Sequence, residues 1–359
     1  MITTDSGGIS LVDVEVDDPG EGEVLVDLHA SGVCHTDHDL RRWPGIVLGH
    51  EGAGVVGAVG SGVAGVEAGD RVLLNWAMPC GSCFQCVAGN RHLCEIGSPL
   101  QRGPRSHARL ESTLHDGRPL RRAFGLGTMS TTTVVPAAAI TPLPEGVPFA
   151  SAAIVGCGVM TGFGSVVNAA GVEPGSSVVV LGCGGVGLNV VQGARISGAS
   201  AIIAVDTKPT RLELASRFGA TETLLADPAD VGLGSIAAAV RERTSGRGAD
   251  YAFECTAVPD LAAAPLAMVR HGGSAIQVSG VEQTIEVDMR LFEWDKIYLN
   301  PLYGQCRPER DFPRIFDLYR RGELLLDELV TRTYPLDEVD AAFDDLLAGV
   351  NAKGVLLLR

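Results

Sequence analysis

The residues best suited to metal chemistry lie in the segment at positions 34–51, which reads CHTDHDLRRWPGIVLGHE. This segment contains a thiol at Cys34 and an imidazole next to a carboxylate at His50 and Glu51. Thiolate and imidazole are ligands that Zn²⁺ prefers, and a catalytic zinc ion takes three protein ligands and leaves one position open. Two ligands from this segment and a third from a distant one would form such an open site. These residues alone also allow the alternative that Cys34 is a small buried residue and His50 a core histidine.

A second group of cysteines lies at positions 80–94, in the sequence CGSCFQCVAGNRHLC. Its four members are separated by two, two and seven residues and are Cys80, Cys83, Cys86 and Cys94. Short spacings let one turn direct successive thiolates at a single ion, and the longer loop brings the fourth thiolate back to the same ion. Such a closed site has no position for a substrate, so we expect a structural zinc. An iron–sulfur cluster is the alternative, because four thiolates also hold those clusters. Zinc is favoured because nothing else in the sequence suggests a redox partner.

A further cysteine, Cys157, is flanked by glycines in the sequence GCGVMTGFGS at positions 156–165. A cysteine next to glycine at the start of a helical stretch is usually a packing residue. Cys157 could instead supply the third ligand of the open site, and the local pattern leaves both interpretations available.

A glycine-rich turn follows a predicted strand at residues 177–181 and has the form of a dinucleotide-binding fingerprint. The turn consists of Gly182, Cys183, Gly184, Gly185, Val186 and Gly187. Its glycines permit a tight bend, close approach to a pyrophosphate and packing of helix on strand, and the next helix offers its N-terminal N–H groups to the phosphates. A second strand, residues 201–205, ends at Asp206, whose carboxylate can accept the ribose hydroxyls and would repel a 2′-phosphate. The sequence therefore predicts NAD over NADP, a preference that Lys208 weakens slightly.

The remaining pattern supplies the elements that position these residues. Up to about residue 150, short apolar runs broken by Gly and Pro predict a β-rich, barrel-like domain. Beyond residue 177, strand and helix signals alternate, which predicts an α/β domain with a doubly wound parallel sheet. The strand candidates are residues 24–28, 54–59, 71–75, 131–135, 223–226, 251–254 and 274–278, and the helix candidates are residues 231–244, 261–269 and 311–322. We expect residues 1–157 and 303–359 to form one domain, with the cysteine lobe at 80–94, and residues 158–302 to form the other.

Composition narrows the class of protein. The formal net charge of −15 argues against nucleic acid and against an anionic membrane surface as partners. The N-terminus lacks the basic and apolar regions of a signal peptide, and no apolar run approaches the roughly 20 residues of a membrane span. We therefore expect a cytoplasmic protein, in which the nine cysteines are reduced and their clustering points to metal.

In this order, the motifs GVCHTD, LGHEGAG, CGSCFQC, GCGVMTG and GCGGVG resemble those of the zinc-dependent medium-chain alcohol dehydrogenases, over nearly the whole chain. The resemblance implies a GroES-like catalytic domain in two segments that flank a central Rossmann domain. It makes Cys34, His50 and Cys157 the ligands of a catalytic zinc, with Glu51 behind the metal and Asp37 as the hydrogen-bond partner of His50. Together with the four-cysteine site, it implies two zinc ions per chain.

The same resemblance implies contacts to NAD. The glycines of the turn, with Gly185 and Val186 between them, match the pyrophosphate site, and Asp206 matches the acid that binds the adenosine ribose. The further cofactor contacts are His35, Arg211, Val281 and Lys353. His35 stands where the family has a basic pyrophosphate contact, and its weaker charge would loosen the cofactor; Lys353 stands where arginine is more usual.

The implied activity is the reversible oxidation of an alcohol to an aldehyde or ketone by hydride transfer to NAD. Thr36 is placed to accept the alcohol proton and pass it toward water. In many relatives a histidine five residues after the first ligand ends this relay, but here that position is Asp39 and the histidine is His38. The relay terminus is therefore open between His38, Asp39 and water, and His38 is equally compatible with an exposed loop residue.

Trp76 falls where the family has an aromatic wall of the substrate pocket, with Phe124 and Val281 at other pocket positions; all three are also compatible with ordinary core residues. An apolar pocket with one polar end favours primary aromatic or allylic alcohols. The expected partners are a small-molecule alcohol or aldehyde and further copies of the chain, in a homodimer or homotetramer. Apolar residues at 297–302 would extend a sheet across a twofold axis or form an internal edge strand.

Two alternatives to this activity remain. Residues 97–126 resemble the long segment of the animal and glutathione-linked enzymes, which makes an S-(hydroxymethyl)thiol-type formaldehyde dehydrogenase the nearer one. The arginines that would anchor the tail of such a substrate are Arg102, Arg105, Arg109, Arg118, Arg121 and Arg122, although a solvated loop is the simpler interpretation. The other alternative is a nucleotide-binding protein without catalysis, but such a protein would not need an open metal site.

Overall fold

The computed structural model describes residues 1–4, 7–98 and 112–359 of the chain. The strands are β1 (Ile2–Thr3), β2 (Ile9–Ser10), β3 (Glu15–Val16), β4 (Glu23–Gly32), β5 (Ile46–Val47), β6 (Gly52–Val59), β7 (Arg71–Leu74), β8 (Thr113–His115), β9 (Arg118–Pro119), β10 (Arg121–Arg122), β11 (Thr132–Pro136), β12 (Ile140–Pro142), β13 (Ser177–Leu181), β14 (Ala201–Asp206), β15 (Glu222–Leu225), β16 (Ala249–Glu254), β17 (Val269–Gln277), β18 (Ile297–Leu299), β19 (Val330–Pro335) and β20 (Lys353–Leu357). The α-helices are α1 (His35–Leu40), α2 (Phe84–Val87), α3 (Phe149–Ala153), α4 (Gly158–Gly164), α5 (Gly185–Ile196), α6 (Pro209–Phe218), α7 (Gly234–Arg243), α8 (Ala264–Met268), α9 (Pro308–Arg320) and α10 (Val339–Leu347).

These elements fall into two compact units. The first unit comprises Met1–Gly158, Arg307–Gly322 and Leu326–Arg359, and the second comprises Val159–Cys306 and Glu323–Leu325. The sequence placed the divisions after residues 157 and 302; whether these units are the functional domains stays a prediction.

The first unit is built around the long strand β4. This strand pairs with β6, β11 and β20, and its alternate residues Val24, Val26, Leu28 and Ala30 are fully buried. Alternation with a period of two places these side chains on one face of the sheet, where they pack into the core. Strand β4 leads directly into Cys34, the residue that precedes α1. The C-terminal strand β20 lies antiparallel to it, so residues far apart in sequence meet at the end of one sheet.

The second unit contains a six-stranded parallel sheet in the order β15-β14-β13-β16-β17-β18. In β13, the consecutive residues Val178, Val179 and Val180 are all fully buried, which is typical of a parallel strand covered on both faces. The predicted doubly wound α/β sheet is therefore confirmed. Two predicted elements of this unit differ in their bounds. The helix expected at residues 261–269 is only Ala264–Met268, and the strand expected at 274–278 is β17, which already begins at Val269 and pairs there with Ala249.

The strand order of this sheet reverses between β13 and β16. The chain runs outward from β13 through β14 to β15, then returns to β16 and runs outward through β17 to β18. In open α/β sheets, ligands bind outside the carboxyl ends of the strands at such a switch point. The glycine turn after β13 and the residues after β16 therefore lie at the edge where a ligand is expected.

Among the described residues, no single helix is both long and apolar enough to cross a bilayer; the segments Phe149–Gly156 and Gly158–Ala170 meet that test of length and composition only when taken together.

Candidate functional site

The structure brings four metal-ligating side chains together in the first unit. Cys34, His50, Glu51 and Cys157 each place one ligand atom within 4.8 Å of the others. Cys34 precedes α1, His50 and Glu51 join β5 to β6, and Cys157 lies just before α4. His50 and Glu51 are almost fully buried and the two cysteines are half-buried. Residues separated by more than a hundred positions therefore form one cluster, and their assignment as zinc ligands stays a prediction.

Asp37 fixes the orientation of the His50 ring. Its Oδ2 lies 2.9 Å from His50 Nδ1, and its Oδ1 accepts a hydrogen bond of 3.0 Å from the Gly49 N–H. Burial alone would lower the pKa of His50, but the Asp37 carboxylate outweighs it and holds the pKa well above the usual value. A carboxylate on one ring nitrogen fixes the tautomer and leaves the other nitrogen, Nε2, for a metal.

Glu51 is held by a buried cation on the last strand. Lys353 Nζ lies 2.7 Å from both carboxylate oxygens and donates to the Val33 carbonyl at 3.1 Å. Burial raises the pKa of Glu51 to about 7, although Lys353 opposes this shift. The sequence suggested Lys353 as a cofactor contact, whereas here its ammonium group is buried against Glu51; the cofactor role stays a prediction.

A glycine makes room for this carboxylate. A Cβ atom on Gly32, the last residue of β4, would lie 1.9 Å from Glu51 Oε2. Any side chain at this position would therefore displace Glu51. Sequence reasoning missed Gly32, although a glycine inside a strand is a recognised sign of close approach by another group.

The donor set of the cluster fits a divalent cation. A hydrogen bond from Cys157 holds the pKa of the Cys34 thiol well below its usual value, and His50 supports this shift against the effect of burial. The same hydrogen bond, together with burial, holds the pKa of Cys157 well above its usual value. Burying both sulfur ligands as thiolates therefore needs additional positive charge beside them. Two sulfur ligands and one imidazole nitrogen suit Zn²⁺.

The second cluster has the geometry of a closed tetrahedral site. Its four sulfur atoms lie within 4.8 Å of one another and belong to Cys80, Cys83, Cys86 and Cys94. The Sγ–Sγ distance is 4.0 Å between Cys80 and Cys86 and 3.9 Å between Cys83 and Cys94. Four thiolates at about 2.3 Å from one zinc ion lie about 3.8 Å apart, so these distances fit a single ion. Backbone N–H groups of Cys83 and Gly97 already point at the sulfur atoms.

The Phe124 ring covers one side of His50, and the Trp76 ring lies against Phe124. The Phe124 ring lies 4.7 Å from the His50 ring, and the Trp76 ring lies 5.3 Å from that of Phe124, measured between centroids. Phe124 adopts a left-handed backbone conformation with φ of 52°, which is costly for a bulky residue and persists only where packing enforces it. Val281, the third predicted pocket residue, lies in the second unit, after β17.

The residues of the predicted proton relay lie on α1. Thr36 is half-buried, and in the described part of the chain its hydroxyl has no hydrogen bond to His38 or Asp39. His38 packs edge-on against Phe343 with a ring distance of 5.8 Å, and its Nδ1 lies 3.8 Å from Asp39. His35, at the start of the helix, is exposed. The relay and its terminus stay a prediction.

The glycine turn of the second unit leaves no room for side chains at two of its positions. Gly182 has φ of +86°, and a Cβ atom there would lie 2.9 Å from the Thr256 side chain. A Cβ atom on Gly187 would lie 1.8 Å from the Gly182 carbonyl. Helix α5 begins within the turn, at Gly185 and Val186, so the N–H groups of these residues stand at the positive end of the helix.

Asp206, the last residue of β14, is held beside this turn. Its Oδ2 accepts a hydrogen bond of 2.8 Å from the Cys183 N–H, and its Oδ1 accepts one of 3.0 Å from the Lys208 N–H. The Arg211 guanidinium lies 3.6 Å from the same carboxylate. Two backbone donors thus fix the carboxylate where a ribose is expected, and Arg211 stands next to it.

Three of the arginines proposed to anchor a thiol substrate, Arg102, Arg105 and Arg109, lie outside the described residues. Of the other three, Arg118 and Arg121 are exposed and Arg122 is buried.

Family models match both parts of the chain. The model described as alcohol dehydrogenase GroES-like domain matches residues 20–145, and the model described as zinc-binding dehydrogenase matches residues 185–318. The predicted combination of a GroES-like domain with a Rossmann sheet is therefore confirmed, and fold and site together define a zinc-binding dehydrogenase.

Individual relatives cover nearly the whole chain. The NDMA-dependent alcohol dehydrogenase of Amycolatopsis methanolica is 37% identical, with 96% of this chain and 94% of the relative covered. The S-(hydroxymethyl)glutathione dehydrogenase of Paracoccus denitrificans is 33% identical, with 97% and 96% covered. The solved structure of benzyl alcohol dehydrogenase from Acinetobacter calcoaceticus has a TM-score of 0.86 at 30% identity, with 96% and 94% covered. The chain belongs to the zinc-dependent medium-chain alcohol dehydrogenase family, whose membership implies an oxidoreductase that uses zinc and NAD(H).

The Glu51–Lys353 pair generates a prediction about stability. Lys353→Met removes the cation and leaves the buried Glu51 carboxylate with only the 3.3 Å hydrogen bond from the Gly158 N–H, a change that costs about 3–5 kcal/mol. Because about 1 kcal/mol shifts the melting temperature of a unit of this size by about 2–4 °C, we expect a decrease of about 6–20 °C by differential scanning calorimetry. The double variant Lys353→Met/Glu51→Gln carries no buried charge there and should recover part of the loss. A Lys353→Met variant with the melting temperature of the wild type would contradict the stabilising role of this pair.

Proposed function

We propose that the protein is an NAD-dependent, zinc-containing alcohol dehydrogenase that reversibly oxidises an alcohol to an aldehyde or ketone, with two zinc ions per chain. The observation that carries the proposal is the convergence of Cys34, His50, Glu51 and Cys157 within 4.8 Å. A structural site needs four ligands with no open position, and the second cluster already has that form. The first cluster has two thiols and one imidazole, with Glu51 drawn to Lys353, which supports an open, catalytic site.

A zinc ion bound by these ligands would lower the pKa of an alcohol oxygen at the open position. The protein's own groups prepare the site for that chemistry. Asp37 holds the imidazole of His50, and Lys353 neutralises Glu51 behind the cluster. Thr36 Oγ1 would accept the alcohol proton while it releases its own hydroxyl proton toward His38, Asp39 or water.

The second unit binds the cofactor that accepts the hydride. The N–H groups at the start of α5 hold the pyrophosphate, and the Asp206 carboxylate accepts the hydroxyls of the adenosine ribose. A 2′-phosphate would meet the charge of Asp206, which is fixed by two backbone hydrogen bonds. Arg211, His35, Val281 and Lys353 are proposed as further cofactor contacts.

The substrate class proposed is a primary aromatic or allylic alcohol. The tilted contacts of Phe124 with His50 and of Trp76 with Phe124 support an aromatic wall close to the proposed metal ligands. A planar, unsaturated substituent gains most from such a wall, because aromatic rings prefer offset or edge-on contacts. The name of the Acinetobacter relative, a benzyl alcohol dehydrogenase, supports the same class.

A homo-oligomer is proposed as the assembled state. Strand β18 lies at the edge of the parallel sheet, and Ile297 on it is 55% exposed. An exposed apolar edge strand is a ready site for pairing with a second copy of the chain.

A second candidate is oxidation of an S-(hydroxymethyl)thiol. It is favoured by the 33% identity to the Paracoccus S-(hydroxymethyl)glutathione dehydrogenase and by the exposed Arg118 and Arg121, which carry the charge that an anionic thiol tail needs.

A substrate panel separates the two candidates. NAD reduction is measured with benzyl, allyl and straight-chain alcohols, and with formaldehyde in the presence and absence of glutathione. The proposal predicts the highest kcat/KM for benzyl or allyl alcohols and no dependence on thiol. Formaldehyde oxidation that requires glutathione, at a higher kcat/KM than any alcohol, would favour the second candidate. The panel is repeated with NDMA, because the Amycolatopsis relative carries that dependence in its name.

Cys157→Ser tests the metal site. We expect zinc content to fall from about two ions per chain to about one, alcohol oxidation to fall by a factor of about 10³ or more, and NADH binding to stay measurable. Elemental analysis, steady-state kinetics and calorimetry give the three readouts. Cys306→Ser, which alters a cysteine outside both clusters, is the control. An active Cys157→Ser variant with full zinc content would remove Cys157 from the ligand set.

Asp206→Gly tests cofactor choice. Removing the carboxylate takes away both the ribose acceptor and the repulsion of a 2′-phosphate, and Arg211 remains nearby to attract that phosphate. We expect the ratio of kcat/KM for NAD to that for NADP to fall by a factor of about ten or more. An unchanged ratio would show that other residues set the preference.

A further inference from the structure

A fully buried carboxylate lies at the switch point of the parallel sheet. Glu254 is the last residue of β16 and is 0% exposed. It pairs in register with Leu181, which immediately precedes the glycine turn, and with Gln277 at the end of β17. The side chain therefore lies at the carboxyl edge of the sheet, between the loops that follow β16 and β17.

This carboxylate accepts hydrogen bonds from both loops. Oε1 accepts from the N–H of Thr256, from the Thr256 hydroxyl at 2.5 Å and from the Ala257 N–H at 3.2 Å. Oε2 accepts from the Ser279 hydroxyl. Among the residues that the structure describes, no Lys or Arg side chain forms an ion pair with Glu254. Its charge is thus balanced by four hydrogen-bond donors, three of which come from one short loop.

The loop after β16 has a conformation that needs such support. Ala257 has φ of +60°, a left-handed conformation that costs energy for a residue with a Cβ atom. The Thr256 γ-carbon packs against Gly182, where an added Cβ atom would lie only 2.9 Å away. Glu254 therefore holds Thr256 directly against the turn that is proposed to bind the pyrophosphate.

Glu254 lies on the side of the sheet where one half of the cofactor is expected to bind. A dinucleotide at the switch point extends over strands on both sides of β13. The adenosine ribose is assigned to Asp206 at the end of β14, on one side. The loops after β16 and β17 lie on the other side, where the nicotinamide nucleotide must then lie.

We infer that Glu254 is a positioning residue for the nicotinamide half of the cofactor, because its carboxylate fixes Thr256, Ala257 and Ser279 as the wall of that half-site. The inference rests on the proposed binding of NAD by the second unit. It assigns no chemical step to Glu254, which acts through the two loops.

The test compares two ligands that differ in the nicotinamide half. Dissociation constants for NADH and for ADP, which carries only the adenosine and phosphate groups, are measured by calorimetry on the zinc-loaded full chain. In Glu254→Gln, one oxygen becomes an NH₂ group that cannot accept, so the donors of the two loops compete for the remaining oxygen, and the charge-assisted bonds are lost. We expect NADH to bind about tenfold more weakly and ADP to bind within a factor of about two of the wild type.

Ser279→Ala and Thr256→Val break individual hydrogen bonds to Glu254 without altering the buried carboxylate. Each substitution should weaken NADH binding by a factor of about three and leave the affinity for ADP unchanged. These two variants test the inference if the Glu254→Gln variant does not fold.

The control is Asp250→Asn, at the opposite end of the same strand. The Asp250 carboxylate makes a comparable set of bonds, from the Ser177 N–H and hydroxyl and from Arg270, each at 2.7 Å. A purely structural effect of losing a carboxylate in β16 would appear here as a lower melting temperature, with the NADH to ADP affinity ratio unchanged.

Folded variants at 254, 256 and 279 that keep the wild-type ratio of NADH to ADP affinity, or that lose both ligands equally, would overturn the inference. A wild-type protein that does not bind NADH would instead overturn the proposed function, and the inference with it.

Discussion

The structure depends on the burial of several ionisable, metal-binding groups in one place. Two thiols, an imidazole and a carboxylate meet within 4.8 Å in the first unit, and removal of charged groups from water is costly unless opposite charge balances them. Lys353 balances Glu51 at 2.7 Å, and Asp37 balances the His50 ring at 2.9 Å. The two half-buried thiols have no comparable cation among the described residues of the cluster, and a divalent metal ion suits two sulfur ligands and one imidazole.

The surrounding fold brings these charged groups together. Strand β4 ends at Gly32, whose missing side chain leaves the space that Glu51 occupies, and it leads into Cys34. Strand β20 pairs with β4 and brings Lys353 to the same place from the other end of the chain. The packing that stabilises the sheet thus also positions the ligand atoms. Buried carboxylates also fix the loops of the second unit. Asp206 holds the loop on one side of the switch point, and Glu254 holds the loops on the other side.

The sequence predicted those features that depend on local spacing. The four-cysteine cluster, the strand and glycine turn at 177–187 and the acid at the end of the next strand are each encoded within some thirty residues. The meeting of Cys34, His50 and Cys157 was expected through a family resemblance, because spacing in the chain says nothing about contacts between distant segments. Contacts that depend on tertiary packing were missed: the pairing of Lys353 with Glu51, the space at Gly32, the left-handed backbone of Phe124 and the hydrogen bonds of Glu254. A lysine or glycine in a strand has the same appearance in sequence whatever lies opposite it.

The central claim is that Cys34, His50 and Cys157 bind one zinc ion. Diffraction data collected on both sides of the zinc absorption edge, from crystals of the zinc-loaded protein, test it most directly. The account predicts an anomalous peak at about 2.3 Å from the sulfur atoms of Cys34 and Cys157 and at about 2.0–2.1 Å from a ring nitrogen of His50, in addition to a peak among the four cysteines of the lobe. A map with a peak in the lobe alone, in a protein that oxidises alcohols, would contradict it.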